Sequence, residues 1–281
     1  MSRAVLFATD LSAENRVAFA RAVRLAHEGG VQLDALHVLD EHLPRRVLHT
    51  LETAVVEDIA AILTDLREDY ALPEPKTLLK TVAGSAYAEI IREAHERDAQ
   101  LIVLGVHRKR GQPDLVAGTT LMRVLRGAPC PVVVASQLPT QDWNNILVPI
   151  DFSLTARHTL REALTRFPDA KLTLLHAWNL PGERELGSFS HYAKWREHEV
   201  ARLRSHLEHE VNLLMEELAG VPEVELLLEQ GEPCEVLMRH IRRDTPDLVI
   251  MGSRSQLNHH SHITATLLAE PHCDLMLCRA W

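Results

Sequence analysis

The chain has 281 residues, 46% hydrophobic and 25% charged, with a formal net charge of −9. That composition is ordinary for a globular protein and leaves room for one to three domains, each long enough to bury a core. The acidic balance argues against non-specific nucleic-acid binding, which needs clustered Lys and Arg, and no apolar run approaches the roughly 18 residues of a membrane span.

From the N-terminus, Val5-Leu-Phe-Ala-Thr-Asp10 reads as a buried strand ending on a carboxylate. The charge at Arg3 comes too early for a secretory signal. The cysteines, Cys130, Cys234, Cys273 and Cys278, are scattered and form no CxxC pair. Both features predict a reduced, cytoplasmic location, with the cysteines packing as small hydrophobes. A helical stretch follows Ser12, and Gly29-Gly30 is placed to close it. Leu36-His37-Val38 lies in a second apolar run, and Leu51, Val55, Ile59, Ile62 and Leu66 mark an amphipathic helix. Gly84-Ser85 opens another helix, Leu101-Ile-Val-Leu-Gly105 is a further strand, and Pro129-Cys-Pro-Val-Val-Val134 carries the last apolar run of the first half.

The same landmarks then return in the same order. They are Ile146-Leu-Val-Pro-Ile-Asp151, Ser153, Leu175-His176-Ala177, Gly231-Glu232, Leu248-Val-Ile-Met-Gly252 and Pro271-His-Cys-Asp-Leu-Met276. Val200, Leu203, Leu207, Val211, Leu214 and Leu218 repeat the amphipathic helix. One unit is therefore written twice. The polar stretch Leu138–Asn144 contains a proline and reads as the linker, which predicts domains at 1–137 and 145–281. The strands are near-continuous apolar runs, as a parallel sheet covered on both faces requires. Strand and helix alternate, so each half is expected to be a Rossmann-like α/β open sheet.

Ligands of such sheets bind beyond the carboxyl ends of the strands, where strand order reverses. Asp10, the segment after Val38 and the loop after Gly105 lie at those ends. Asp10 suits either a hydrogen bond from a ribose or an adenine amino group, or a turn or helix-cap role. The loop Gly105-Val-His-Arg-Lys-Arg-Gly-Gln-Pro-Asp-Leu-Val-Ala-Gly118-Thr119-Thr120 runs into a helix. Glycine beside hydroxyl residues at a helix N-terminus suits a phosphate, because the backbone can approach closely and the helix dipole favours an anion. His107, Arg108, Lys109 and Arg110 add positive charge. The other description of the same residues is a surface loop with a Gly-Thr cap.

This loop, continued through Leu121 to Val134, resembles the C-terminal signature of the universal stress protein family. The family's ATP pattern is G-x2-G-x9-G-[S/T]; here Gly105, Gly118 and Thr119 match it and Arg108 replaces the second glycine. The likeness covers nearly the whole chain, in both copies. It implies two adenine nucleotide alpha hydrolase-like sheets in tandem, each of five strands in the order 3-2-1-4-5. It implies ATP in the first domain, held by Asp10, Val38, Gly105, His107, Arg108, Gly118, Thr119 and Thr120. It also implies that Val132–Ala135 and Leu275–Cys278 meet as edges, giving an internal pseudo-dimer, with a homodimer as a further possibility.

The second copy departs from the pattern. His260-Ser261 stand opposite Gly118-Thr119, Ser255 takes the place of the second glycine, and seven residues lie between Gly252 and His260 where twelve lie between Gly105 and Gly118. A spacing-preserving alignment sets Ala265-Thr266 there instead, and either way glycines are lost, so a degenerate site is expected. His259, His260 and His262, with His272 and Cys273 downstream, are read as a polar loop rather than a metal site, because no second tight ligand pair accompanies them. His198, His206 and His209 read as a solvated helix face. Two classes of function remain: an ATP-binding regulatory module, or a slow ATP hydrolase. Against the hydrolase, the sequence has no P-loop and carries Leu11-Ser-Ala-Glu-Asn15 after Asp10, where pyrophosphate-cleaving relatives have Ser-Gly-Gly. A nucleotide-free platform for a ligand or partner is the third reading.

Overall fold

A computed structural model describes residues 4–106, 120–139, 142–151, 153–179, 190–216, 223–253 and 260–279. In chain order the elements are β1 (Ala4–Thr9), α1 (Arg16–Glu28), β2 (Gln32–Leu39), α2 (Arg45–Asp69), β3 (Thr77–Ala83), α3 (Ala86–Glu96), β4 (Ala99–Gly105), α4 (Thr120–Gly127) and β5 (Val132–Ala135). The repeat supplies β6 (Asn145–Pro149), α5 (Leu154–Arg166), β7 (Lys171–Trp178), α6 (Ser190–Glu216), β8 (Val224–Gln230), α7 (Pro233–Asp244), β9 (Leu248–Ser253), α8 (His260–Ala269) and β10 (Asp274–Arg279).

The chain forms two compact units, one of Met1–Asp142 with Ser253–Arg279, the other containing Trp143–Gly252. In the first, parallel strands run in the order β3-β2-β1-β4-β5, the 3-2-1-4-5 order expected. β10 adds antiparallel to β5, with Leu275 level with Val134, Met276 with Val133 and Leu277 with Val132. In the second unit the parallel order is β8-β7-β6-β9. Its first four positions follow the expected order. The last helix and strand of the second repeat, α8 and β10, fall in the first unit. The ladder that β10 makes with the apolar edge of β5 accounts for that grouping.

β1 is buried from Ala4 to Ala8, and Phe7 stacks on Phe19 of α1 with ring centroids 4.6 Å apart. Burying a side chain of that size is worth about 1.5–3 kcal/mol. In the second unit Ile146, Leu147 and Val148 of β6 are buried, as are Leu172 and Leu174 of β7 and Leu160 of α5. α2 buries Val55, Ile59 and Leu66, and α6 buries Leu207 and Val211, in both cases from the predicted stripe. α1 ends as its two glycines require. Gly30 is left-handed at φ 58°, Val31 N–H donates to Ala26 O at 2.9 Å and Gly30 N–H to His27 O at 3.0 Å, the paired bonds of a Schellman cap. Among the described residues no helix is long and apolar enough to cross a membrane.

Candidate functional site

β1 lies between β2 and β4, so strand order reverses beside it and its carboxyl end faces the crevice such sheets offer to ligands. Asp10 follows β1 there and is exposed. Its Oδ1 accepts from Ser12 N–H at 3.0 Å, from Ser12 Oγ at 2.6 Å and from Asn15 Nδ2 at 2.9 Å. This is an Asx turn closed by an extra side chain. Leu11 within it is left-handed, φ 62°, and its N–H donates to Thr9 Oγ1 at 3.0 Å. The turn role considered for Asp10 is thus present, and it holds an exposed carboxylate in a fixed orientation at the strand end.

Asn15 also explains Gly105, the last residue of β4. A Cβ on Gly105 would lie 2.5 Å from Asn15 Oδ1 and 3.5 Å from Ala18 Cβ. Because a carboxylate only accepts, the amide nitrogen of Asn15 must face Asp10, which turns Oδ1 toward the glycine. Asp10, Asn15 and Gly105 therefore form one contiguous set across the reversal. Val38, half-buried, completes the row on the other side, since His37 just before it is level with Thr9 in the β1–β2 register. His37 Nδ1 lies 2.8 Å from Thr9 O. A carbonyl can only accept, so Nδ1 carries a proton, and the ring ties β2 to the residue preceding Asp10.

Of the residues the sequence singled out, Asp10, Val38 and Gly105 come together at the ends of β1, β2 and β4. Thr120 is the exposed first residue of α4. His107, Arg108, Gly118 and Thr119 lie outside the described residues. Asn15 and His37 were not singled out. His37 was findable, because the repeat sets it against His176, whose Nδ1 lies 2.7 Å from Ile150 O just before Asp151. Asn15 was not: counting from the aspartates, its counterpart is Ala156.

The second copy keeps the frame. Asp151 Oδ1 accepts from Ser153 N–H at 3.1 Å, and Ser153 Oγ accepts from Ala156 N–H at 3.1 Å, capping α5. A Cβ on Gly252 would meet Thr155 Cγ2 at 2.5 Å and Thr159 Oγ1 at 3.0 Å. Ser255, His259 and the side chains of His260, Ser261 and His262 lie outside the described residues. His272 Nδ1 lies 2.6 Å from Glu270 O, and Cys273 is buried. Among the described residues no three His, Cys, Asp or Glu side chains are grouped to hold a metal ion.

A family model described as the universal stress protein family matches residues 1–136 and 142–279. No curated protein matches the chain. Among solved structures, a universal stress protein from Archaeoglobus fulgidus DSM 4304 superposes with a TM-score of 0.69 at 18% identity, over 99% of each chain. A protein of unknown function from Pseudomonas aeruginosa PAO1 superposes with a TM-score of 0.67 at 16% identity, over 99% of this chain and 92% of its own. At such identities the likeness is one of fold.

Proposed function

Because the chain belongs to the universal stress protein family, we propose that it is a stress-response regulatory protein that binds ATP in its first domain, 1–137, and not in its second, 145–281. The observation that carries this reading is the joined set Asp10–Asn15–Gly105, whose asparagine is replaced by Ala156 in the second copy. An oriented carboxylate at the end of β1 suits a donor on a ribose or adenine. Val38 offers an apolar wall beside it, and a strand-end glycine lets a chain of atoms pass close to the backbone. Gly105, His107, Arg108, Gly118, Thr119 and Thr120 would then take the phosphates, as backbone amides and basic groups at a helix N-terminus do. The second copy has Ala156 at Asn15's place, and its loop lacks the glycines.

The two domains act as an internal pseudo-dimer in this reading, which the antiparallel β5–β10 ladder supports. A cytoplasmic location accords with four scattered cysteines that form no CxxC pair. A nucleotide-free platform is the second reading, and Arg108 at the family's second glycine position is what favours it.

Calorimetry with ATP, AMP and adenosine separates them. If Arg108 grips phosphate, Arg108→Ala weakens ATP more than adenosine, by about 1.5–3 kcal/mol or roughly ten- to a hundredfold. If Arg108 blocks the site, Arg108→Gly tightens ATP and leaves adenosine unchanged. No binding of any of the three overturns the nucleotide reading in favour of the platform.

A further inference from the structure

The edge of β5 is a short run of four buried residues, Val-Val-Val-Ala, and such an edge accepts any strand of matching shape. The strand that lies on it, β10, begins with a wholly buried carboxylate. Asp274 Oδ1 accepts from Ser136 N–H at 2.8 Å and Gln137 N–H at 3.0 Å, at the end of β5. Its Oδ2 lies 3.0 Å from Nε of Arg21, a residue of α1 that is itself 4% exposed. Ser136 Oγ donates to Cys273 O at 2.9 Å, tying the same corner again. Burial lowers the Arg21 pKa, and the Asp274 charge is the main opposing influence.

Another strand of the same shape is available to β5 in principle, the β5 of a second molecule. Aligned through Pro129 and Pro271, Asp274 stands where the first copy has Val132. A second molecule's β5 laid on this edge would bring Val132 in place of Asp274. Two strand-end amides would lose their acceptor, and a buried guanidinium would lose the carboxylate that opposes its desolvation most.

We propose that Arg21 and Asp274, with the Ser136 and Gln137 amides, form a partner-selecting lock that makes the β5 edge accept the chain's own β10 and reject the equivalent edge of a second molecule. An apolar pair at these positions would give the ladder without the choice. A buried ion pair is a poor source of net stability, but breaking one by removing a single partner is strongly unfavourable. That asymmetry is what selection between partners needs.

The test moves the acid from one strand to the other in the full chain. In Val132→Asp/Asp274→Val, the chain's own β10 no longer satisfies Arg21, whereas a second molecule's β5 does. The particle mass measured by sedimentation should double relative to wild type as concentration rises, with amides 132–135 still protected from hydrogen exchange. A swapped variant that keeps the wild-type mass with those amides protected overturns the lock. If the swapped chain does not fold, Asp274→Val alone decides. Exchange at 132–135 and 275–278 should accelerate about a hundredfold or more, with 146–148 and 172–175 little changed. Exchange within about threefold of wild type at those amides overturns the proposal. None of these readouts depends on nucleotide.

Discussion

The turn after β1 and the turn after β6 start from one pattern, Asp-x-Ser, and are finished differently. After β1, Asp10 Oδ1 gathers Ser12 and Asn15, and Asn15 in turn presses on Gly105. After β6, Ser153 is used as a helix cap and Gly252 is pressed by Thr155. The carboxylate, the histidine on the neighbouring strand and the strand-end glycine survive in both copies: the aspartate closes the turn, the histidine ties the strands, and the glycine makes room for a side chain of the first helical segment. What changed is the side chain that couples the turn to the strand end across the reversal.

The third helix of each copy teaches the same lesson in the core. Nine residues after Gly84 and Gly231 stand Glu93 and His240, both buried. Glu93 is surrounded by cations: Lys80 is in contact, Arg92 lies at 3.3 Å and Arg97 at 3.8 Å. His240 has two acids beside it, with Asp244 Oδ2 2.8 Å from Nδ1 and Glu229 Oε1 3.4 Å from Nε2, and Arg243 Nη2 3.0 Å from Nδ1. Arg243 holds the Asp244 carboxyl down to about 2, and His240 adds to that effect. The repeat preserved a buried ionisable group there while replacing a carboxyl by an imidazole, and the flanking residues changed with it.

The largest stability effect should come from breaking this exchange. Glu93→His sets an imidazole among Lys80, Arg92 and Arg97, and removal of the buried partner should cost about 2–4 kcal/mol after allowance for the partly exposed cations. Urea unfolding measures it, and a loss below that of a surface substitution would refute the cluster's role.

The strand-end glycines should separate next. Gly252→Ala drives a Cβ into a branched threonine and should cost about 1–3 kcal/mol. In Gly105→Ala the obstructing atom ends a side chain that can swing away, so stability falls less. That movement breaks the Asn15–Asp10 bond, however, and ATP affinity should fall with it. Equal stability losses with ATP binding intact would show that Asn15 does not couple the two.

Smaller still are the bridges that the first helix of each copy makes to the second. Arg16 reaches Asp65 and Asp69 at 3.8 and 3.6 Å, whereas Arg157 Nε donates to Glu210 at 2.6 Å with a second contact through Nη2. Double-mutant cycles should give a larger coupling for the bidentate pair, up to about 1 kcal/mol against a few tenths. The reverse ranking would count against the geometry.

The smallest effect is a pH slope near neutrality carried by Glu28 in the first unit. Glu28, although exposed as a residue, has its carboxyl pushed up to about 7 by desolvation and then by a hydrogen bond to, and repulsion from, Asp142. A carboxyl raised from 4.5 binds its proton more tightly when folded. Its contribution is therefore full below pH 4.5 and is lost as pH rises through about 7. Glu28→Gln should remove a few tenths of a kcal/mol of that slope, read as a flatter midpoint-against-pH curve. An unchanged curve would show that the two carboxyls do not share a proton.

Much of this was legible in the sequence because it is local or repeated. Apolar runs marked the strands, spacing marked the stripes of α2 and α6, and Gly29-Gly30 marked a cap. Repetition gave the two copies, and set His37 against His176. Contacts between distant segments left no such trace. Asn15 and Gly105 meet only once α1 packs on β4, and Arg21 and Asp274 are 253 residues apart. Neither pair has a period or a motif, and the acid at 274 sits inside a run that otherwise reads as an ordinary apolar strand. The grouping of α8 and β10 with the first unit follows from the same long-range ladder, which no local pattern encodes.

The asymmetry between the copies is tested most directly by calorimetric titration of the full chain with ATP, alone and with Asp10→Ala or Asp151→Ala. One ATP per chain is predicted. Asp10→Ala should weaken it by about tenfold or more, as loss of a hydrogen bond to a charged group does, and Asp151→Ala should leave it unchanged. Two ATP per chain, or binding that survives Asp10→Ala and is lost in Asp151→Ala, would contradict it.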